Sequence, residues 1–285
     1  MNHLIERLKV AIPLIVITLL AFFLPGIYGK IAFTILALLL VLPTVHEACT
    51  LLAIPPKSHY REVLFAVISL IVLTPLFCCR SCPITLILAD LTLLFLGFLA
   101  GIFLLFREGV SRDAIGNFAK FTLVEVLVCA CLAPLPNLFH YSPNGPFLLF
   151  YLVLITKLGD TGAYAVGTLT AKMPDGNHKL APTISPKKSW EGLAGGVAFS
   201  ILGSLLCFGF ARASLAPIGP WAAILLGLIA GTIGLVGDLI ESALKRAANA
   251  KDSGHLPGLG GVFDILDSLL LLGPIFYAFL LCCAK

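Results

Sequence analysis

Apolar runs of about twenty residues recur along the whole chain, and no other feature constrains the fold as tightly. A helix needs about 20 residues to cross the hydrocarbon core of a bilayer. That ruler gives about nine candidate spans, roughly 11–29, 31–54, 62–79, 83–106, 120–140, 146–169, 190–210, 217–240 and 262–283. Backbone amides in lipid must find partners within their own segment, so such runs predict helices. The charge content agrees. Of 285 residues, 12% are charged and 59% hydrophobic, whereas soluble domains carry about 25% charged residues and roughly half apolar ones. So few ions cannot cover a globular surface, which excludes a soluble single-core enzyme. Disorder is excluded as well, because it requires little apolar content and much net charge. The net charge of +4 is spread along the chain and forms no basic patch of the size nucleic acid requires. The expectation is an all-α polytopic membrane protein.

Basic residues orient the spans. With nine spans and a cytoplasmic N-terminus, most of the 19 lysines and arginines fall inside; Lys30, Arg80, Arg212 and Lys285 fall outside and Lys157 lies within a span. The positive-inside rule expects such a bias. The first apolar run follows Arg7 and Lys9 and lacks a small-x-small cleavage site, so it reads as a retained signal anchor. The nine cysteines are odd in number and sit mostly within apolar runs. Cys79 and Cys82 form a lone C-x-x-C beside Cys78, which reads as inert thiols at the membrane edge.

Polarity divides the chain into two regions. Residues 1–145 read as scaffold, with single ionisable residues Glu47, Asp90 and Glu125 in long apolar runs; His46 beside Glu47 reads as a structural polar pair. Residues 146–285 gather ionisable residues in three clusters. In the first, Lys157, Asp160 and Tyr164 are spaced to share one helix face. Ions at membrane depth pair or line a wet cavity. Two readings stand open here: a structural Lys157–Asp160 pair, and an Asp160 that faces a polar site. The second cluster runs Ser185-Pro186-Lys187-Lys188-Ser189-Trp190-Glu191-Gly192. Serine then proline suits a helix N-cap and first helical position. That would set Lys187 and Lys188 in a first turn whose free N–H groups favour a phosphate.

The third cluster is the richest. Asp238, Glu241, Ser242 and Lys245 form one helical stripe, followed by Arg246, Lys251 and Asp252; a glycine-rich turn then leads to Asp264 and Asp267. The turn's N–H groups could cradle phosphate oxygens, and carboxylates together with phosphates suit Mg²⁺. Gly192 with Gly196, and Gly227 with Gly231, have the small-xxx-small spacing of packed membrane helices. Carboxylates, lysines and an arginine at one membrane edge point to phosphoryl or nucleotidyl transfer. This chemistry rests on positioning and charge cancellation, without a catalytic serine, cysteine or histidine.

The stretch from Gly237 to Asp267 resembles the signature of the phosphatidate cytidylyltransferase (CDP-diacylglycerol synthase) family, approximately S-x-x-K-R-x4-K-D-x-G followed by P-G-H-G-G-x-x-D-R-x-D. Ser242, Lys245, Arg246, Lys251, Asp252, Gly254, Pro257, Gly258, Gly260, Gly261, Asp264 and Asp267 match it. Asp160-Thr-Gly-Ala-Tyr164 and the block from Ser185 to Gly192 look like two further blocks of that family. Leu259 and Ile265 stand where the family has histidine and arginine, and the stretch between Gly254 and Pro257 is one residue short. The resemblance implies CTP + phosphatidic acid → CDP-diacylglycerol + pyrophosphate, dependent on Mg²⁺ with a two-cation centre suggested. It implies Asp238, Asp264 and Asp267 at the metal and Lys187, Lys188, Lys245, Arg246, Lys251 and Asp252 in catalysis. Ser185, Glu191, Ser242, Gly260, Gly261 and Asp160 would contact substrate. It also implies a homodimer in the cytoplasmic membrane with the site facing the cytoplasm. The alternatives are a CTP-using polyprenol kinase and an ion-coupled transporter. A CDP-alcohol phosphotransferase would show D-G-x-x-A-R, which is absent.

Overall fold

The computed structural model describes residues 2–77, 83–109, 111–140, 142–174, 176–215, 218–256 and 260–283, with side chains from Ile12 onward. The C-x-x-C pair Cys79 and Cys82, and Pro257, Gly258 and Leu259 of the glycine-rich turn, lie outside the described residues. In chain order come α1 (Asn2–Phe23), α2 (Gly26–Leu51), α3 (His59–Phe77), α4 (Pro83–Glu108) and α5 (Arg112–Val124). α5 runs into a π-helical segment, Glu125–Ala130, before α6 (Pro134–His140) and α7 (Gly145–Thr170). A hairpin of β1 (Lys179–Ala181) and β2 (Ser185–Ser189) precedes α8 (Trp190–Phe210) and α9 (Pro220–Ala247). α10 (Phe263–Leu266), a 3₁₀ turn (Asp267–Leu269) and α11 (Leu272–Cys283) complete the order.

Among the described residues eight helical stretches are long and apolar enough to cross a membrane, and Ile12–Phe23 is a shorter apolar one. The chain is an all-α polytopic membrane protein. On α4, Phe95, Phe103 and Phe106 are each more than half exposed. In water such a face would be a liability; in lipid it is the surface the solvent prefers. The fifth span is not one regular helix: Pro134 starts α6 instead of merely ending what precedes it.

The chain forms two compact units, one of residues 1–142 with 247–266 and one of 143–246 with 267–285. In the first unit Phe33 stacks on Phe139 with centroids 3.8 Å apart, and Phe22 meets Phe33 edge-on at 5.7 Å. Buried Arg61 donates from Nε (3.0 Å) and Nη2 (2.5 Å) to the Ile54 carbonyl, tying α3 to the turn after α2. Buried Asp90 accepts from Asn137 Nδ2 at 2.5 Å, so one of the isolated scaffold acids is a helix-to-helix tie. Ser111 caps α5 through the Ala114 N–H at 3.1 Å.

The second unit is packed on glycine. A Cβ added at Gly196 would lie 3.0 Å from the Gly159 carbonyl, and one at Gly231 2.6 Å from Val197 Cα. The small-xxx-small spacings therefore bring α8 against α7 and α9 against α8, backbone to backbone. Hydroxyls complete these contacts. Ser200 Oγ donates to Ile155 O at 2.9 Å, and Ser204 Oγ to Ala223 O at 2.5 Å.

Candidate active site

In the second unit the helical spacing of Lys157, Asp160 and Tyr164 holds. Lys157 Nζ lies 3.1 Å from Asp160 Oδ2 and donates to Ser268 Oγ at 2.9 Å; Ser268 Oγ lies 3.4 Å from Asp160 Oδ2. Asp160 also lines a cavity of about 240 Å³ together with Tyr164, Ser185, Lys187, Lys188 and Asp238. Both readings of the first cluster therefore apply at once: Asp160 is paired, and it faces a hollow that Lys187, Lys188 and Asp238 also line.

The second cluster differs from its sequence reading. Ser185 is not a helix cap, and Lys187 and Lys188 are not in a first helical turn. All three lie on β2, which pairs antiparallel with β1. The helix begins at Trp190, and Ser189 is its cap, accepting from Gly192 N at 3.1 Å. The physical reason is a second capping serine four residues on, backed by Glu191. Its carboxylate accepts from the His178 N–H at 3.1 Å and meets His178 Nδ1 at 2.6 Å, locking the start of β1 to the start of α8. Glu191, expected at the substrate, holds the hairpin that carries the lysines.

α9 supplies the opposite wall. Lys188 Nζ lies 3.0 Å from Asp238 Oδ2, with both side chains about four-fifths buried. One turn on, buried Lys245 pairs with buried Glu241 at 2.6 Å, and Arg246 Nε donates to Ile184 O at 3.2 Å in the hairpin turn. Ser242, on the same helix, is half-buried. Asp267 Oδ1 accepts from Ser268 N at 2.6 Å, and its backbone carbonyl packs against Gly237, the residue before Asp238. Gly237 makes this approach possible, because a Cβ there would strike the Asp267 carbonyl. Asp160, Asp238 and Asp267 thus share one unit with Lys157 and Lys188. Among the described residues no three His, Cys, Asp or Glu side chains form a ready metal cage. Mg²⁺ ordinarily uses one or two carboxylates and completes its shell with water and phosphate oxygens. Asp238 on the cavity, with Asp267 packed against the neighbouring Gly237, supplies the carboxylate chemistry that donor set requires.

The first unit holds the rest of the third cluster. Asp264 Oδ2 accepts from Ser253 N (3.0 Å), Ser253 Oγ (2.7 Å) and Gly261 N (2.7 Å). Gly260 N donates to Leu256 O at 3.2 Å, and the amides of Val262 and Phe263 donate to Glu47 at 3.0 and 2.8 Å. This corrects the phosphate-cradle reading of Gly260 and Gly261: their amides are spent on Leu256 and Asp264, and those of Val262 and Phe263 on Glu47. Gly260 instead supplies a left-handed backbone, φ +85°, which side chains disfavour. Lys251 and Asp252 stand exposed at the start of this segment. Glu47 does not pair with His46 as expected, and its partners lie more than two hundred residues away. An acid inside an apolar helix announced that it needed partners, but no local pattern could name them. Ser253 and Ser268 were missed for the same reason.

The model of the cytidylyltransferase family matches residues 5–283. The phosphatidate cytidylyltransferase of Mycobacterium tuberculosis (strain H37Rv) is 40% identical over 131 residues, 46% of this chain and 37% of that protein. That of Chlamydia muridarum is 40% identical over 139 residues, 48% of this chain and 44% of that protein. That of Haemophilus influenzae is 36% identical over 166 residues, 57% of this chain and 55% of that protein. The chain spans about half the length, or less, of these curated relatives.

Proposed function

The chain belongs to the cytidylyltransferase family, and on that premise we propose that it makes CDP-diacylglycerol and pyrophosphate from CTP and phosphatidic acid. The observation that carries this is the Lys188–Asp238 pair, with Asp160 and Lys187, on one cavity within a unit of membrane-spanning helices. Cations alternate with acids there, as a site that brings two polyanions together requires.

The lipid phosphate is already ionised near neutral pH, so its oxygen needs no general base. It attacks the α-phosphorus of CTP; one P–O bond forms, the α–β anhydride bond breaks, and pyrophosphate carries off the electron pair. Lys187 and Lys188 on β2, with Lys245 and Arg246 on α9, cancel phosphate charge in this reading, and Lys251 and Asp252 act from the 251–266 segment. Glu191 and Ser185 keep the hairpin in place, and Ser242 sits along the α9 stripe. Asp238 and Asp267 would hold Mg²⁺, supported by Asp160, and the chemistry it would supply there is screening of the charge that develops on the leaving pyrophosphate. For Asp264 the geometry supports holding the loop, and a metal role rests on the sequence pattern alone. A second cation, a homodimer and a cytoplasm-facing site in the inner membrane belong to the same proposal, the last supported by the inside bias of lysine and arginine.

Incubating the detergent-solubilised protein with phosphatidic acid and CTP labelled separately at the α- and γ-phosphates tests it. The expected products are α-labelled CDP-diacylglycerol and γ-labelled pyrophosphate. Transfer of the γ-label to a lipid alcohol would identify a kinase instead, and absence of turnover would end the reading.

A further inference from the structure

Glu47 lies near the end of α2, and its carboxylate accepts three hydrogen bonds from one distant segment. Oε1 takes the Val262 N–H (3.0 Å); Oε2 takes the Phe263 N–H (2.8 Å) and Ser253 Oγ (2.8 Å). The same hydroxyl lies 2.7 Å from Asp264 Oδ2, so Ser253 links the two acids. The glycines around them are shaped to this carboxylate. A Cβ at Gly254 would lie 2.8 Å from Glu47 Cδ, and one at Gly261 would run into Glu47 and Ser253 and come within 2.6 Å of Gly254 N. Two glycines of the signature therefore form the walls of a slot that Glu47 fills.

We propose that Glu47 is the positioning residue of the 251–266 segment, fixing through Ser253 and the 262–263 amides where Lys251, Asp252 and Asp264 stand. This rests on the nucleotidyl-transfer reading for its catalytic consequence, though not for its structural one. Lys251 and Asp252 are exposed and immediately precede Ser253. Exposed as they are, they take their placement from the anchored backbone that follows. A charge meant for a phosphate acts efficiently only when it is held before the substrate arrives. Glu47 touches no substrate in this arrangement and acts only through the segment.

The test uses the full chain in detergent, as wild type, Glu47→Ala and Glu47→Gln, with CDP-diacylglycerol formation and amide hydrogen exchange measured together. In Glu47→Ala, kcat is expected to fall more than tenfold while KM for phosphatidic acid moves less than threefold. Exchange of the 253–263 amides rises at least tenfold, and α2 and α3 stay protected. Glu47→Gln, which keeps one acceptor oxygen, falls between. Wild-type exchange across 253–263 in Glu47→Ala overturns the proposal, as does an opening of α2 and α3 equal to that of the segment. If the wild type itself makes no CDP-diacylglycerol, the nucleotidyl-transfer reading fails, and the exchange contrast still decides the role of Glu47.

Discussion

Lys188 on β2 and Asp238 on α9, fifty positions apart in sequence, meet at 3.0 Å. The hairpin and the helix are thereby joined through their charged side chains at the cavity. Breaking a partly buried pair by removing one partner leaves the other desolvated and uncompensated. Lys188→Ala should lower kcat/KM for CTP by about 10²–10³-fold, the usual loss when one preorganised stabiliser of developing charge is removed. Lys188→Arg should retain part of the activity. Steady-state assays of both variants check this, and wild-type turnover in Lys188→Ala would take the lysine out of the site.

Asp238 and Asp264 should respond differently to the same isosteric change. Asp238→Asn removes the charge that faces Lys188 while leaving an oxygen to accept its hydrogen bond, so activity should vanish while thermal unfolding in magnesium-free detergent stays near wild type. Asp264→Asn weakens an acceptor of three hydrogen bonds. Losing a partly buried acceptor of this kind costs up to about 1–3 kcal/mol, so this variant should also unfold at lower temperature. Equal stability of the two variants would count against a loop-holding Asp264.

Much of this arrangement was legible in the sequence, for reasons that separate local from distant physics. The spans follow from run length, and the α7–α8–α9 contacts follow from glycine spacing, because both are one-helix properties. The faces shared by Lys157, Asp160 and Tyr164, and by Asp238 and Lys245, follow from helical periodicity alone. The hairpin did not, because Ser185-Pro186 and Ser189 are both acceptable capping serines and strand pairing with residues 179–181 decides between them. The fate of the glycine-rich turn was equally hidden: the Gly260 and Gly261 amides look available until Leu256 and Asp264 are seen to take them, and the two amides that follow go to Glu47, more than two hundred residues earlier.

The glycine contacts give a stability prediction with an internal control. Gly231→Ala would press a Cβ to 2.6 Å from the Val197 backbone, which no rotamer change can relieve. Overpacking of this sort costs about 1–3 kcal/mol, so the unfolding temperature in detergent should drop. Gly209, in the same unit, has nothing within 4 Å of an added Cβ. Gly209→Ala should be neutral or stabilise the helix by up to about 1 kcal/mol. If both variants behave alike, close helix packing is not what these glycines serve.

Asp238 and Asp267 also predict how the protein responds to magnesium apart from turnover. Asp238 shares the cavity with Asp160, and Asp267 packs against Gly237 beside it; carboxylates gathered in this way repel when ionised, and Lys157 and Lys188 are paired to Asp160 and Asp238. A divalent cation that binds the folded site and not the unfolded chain stabilises by mass action, about 2.7 kcal/mol at a hundredfold excess over its dissociation constant. Chelation should therefore lower the unfolding temperature as well as abolish product formation, and added Mg²⁺ should restore both. Asp238→Asn and Asp267→Asn should each lose the magnesium-dependent shift. Asp264→Asn should keep it if its carboxylate serves the loop, and losing it there would move Asp264 to the cation.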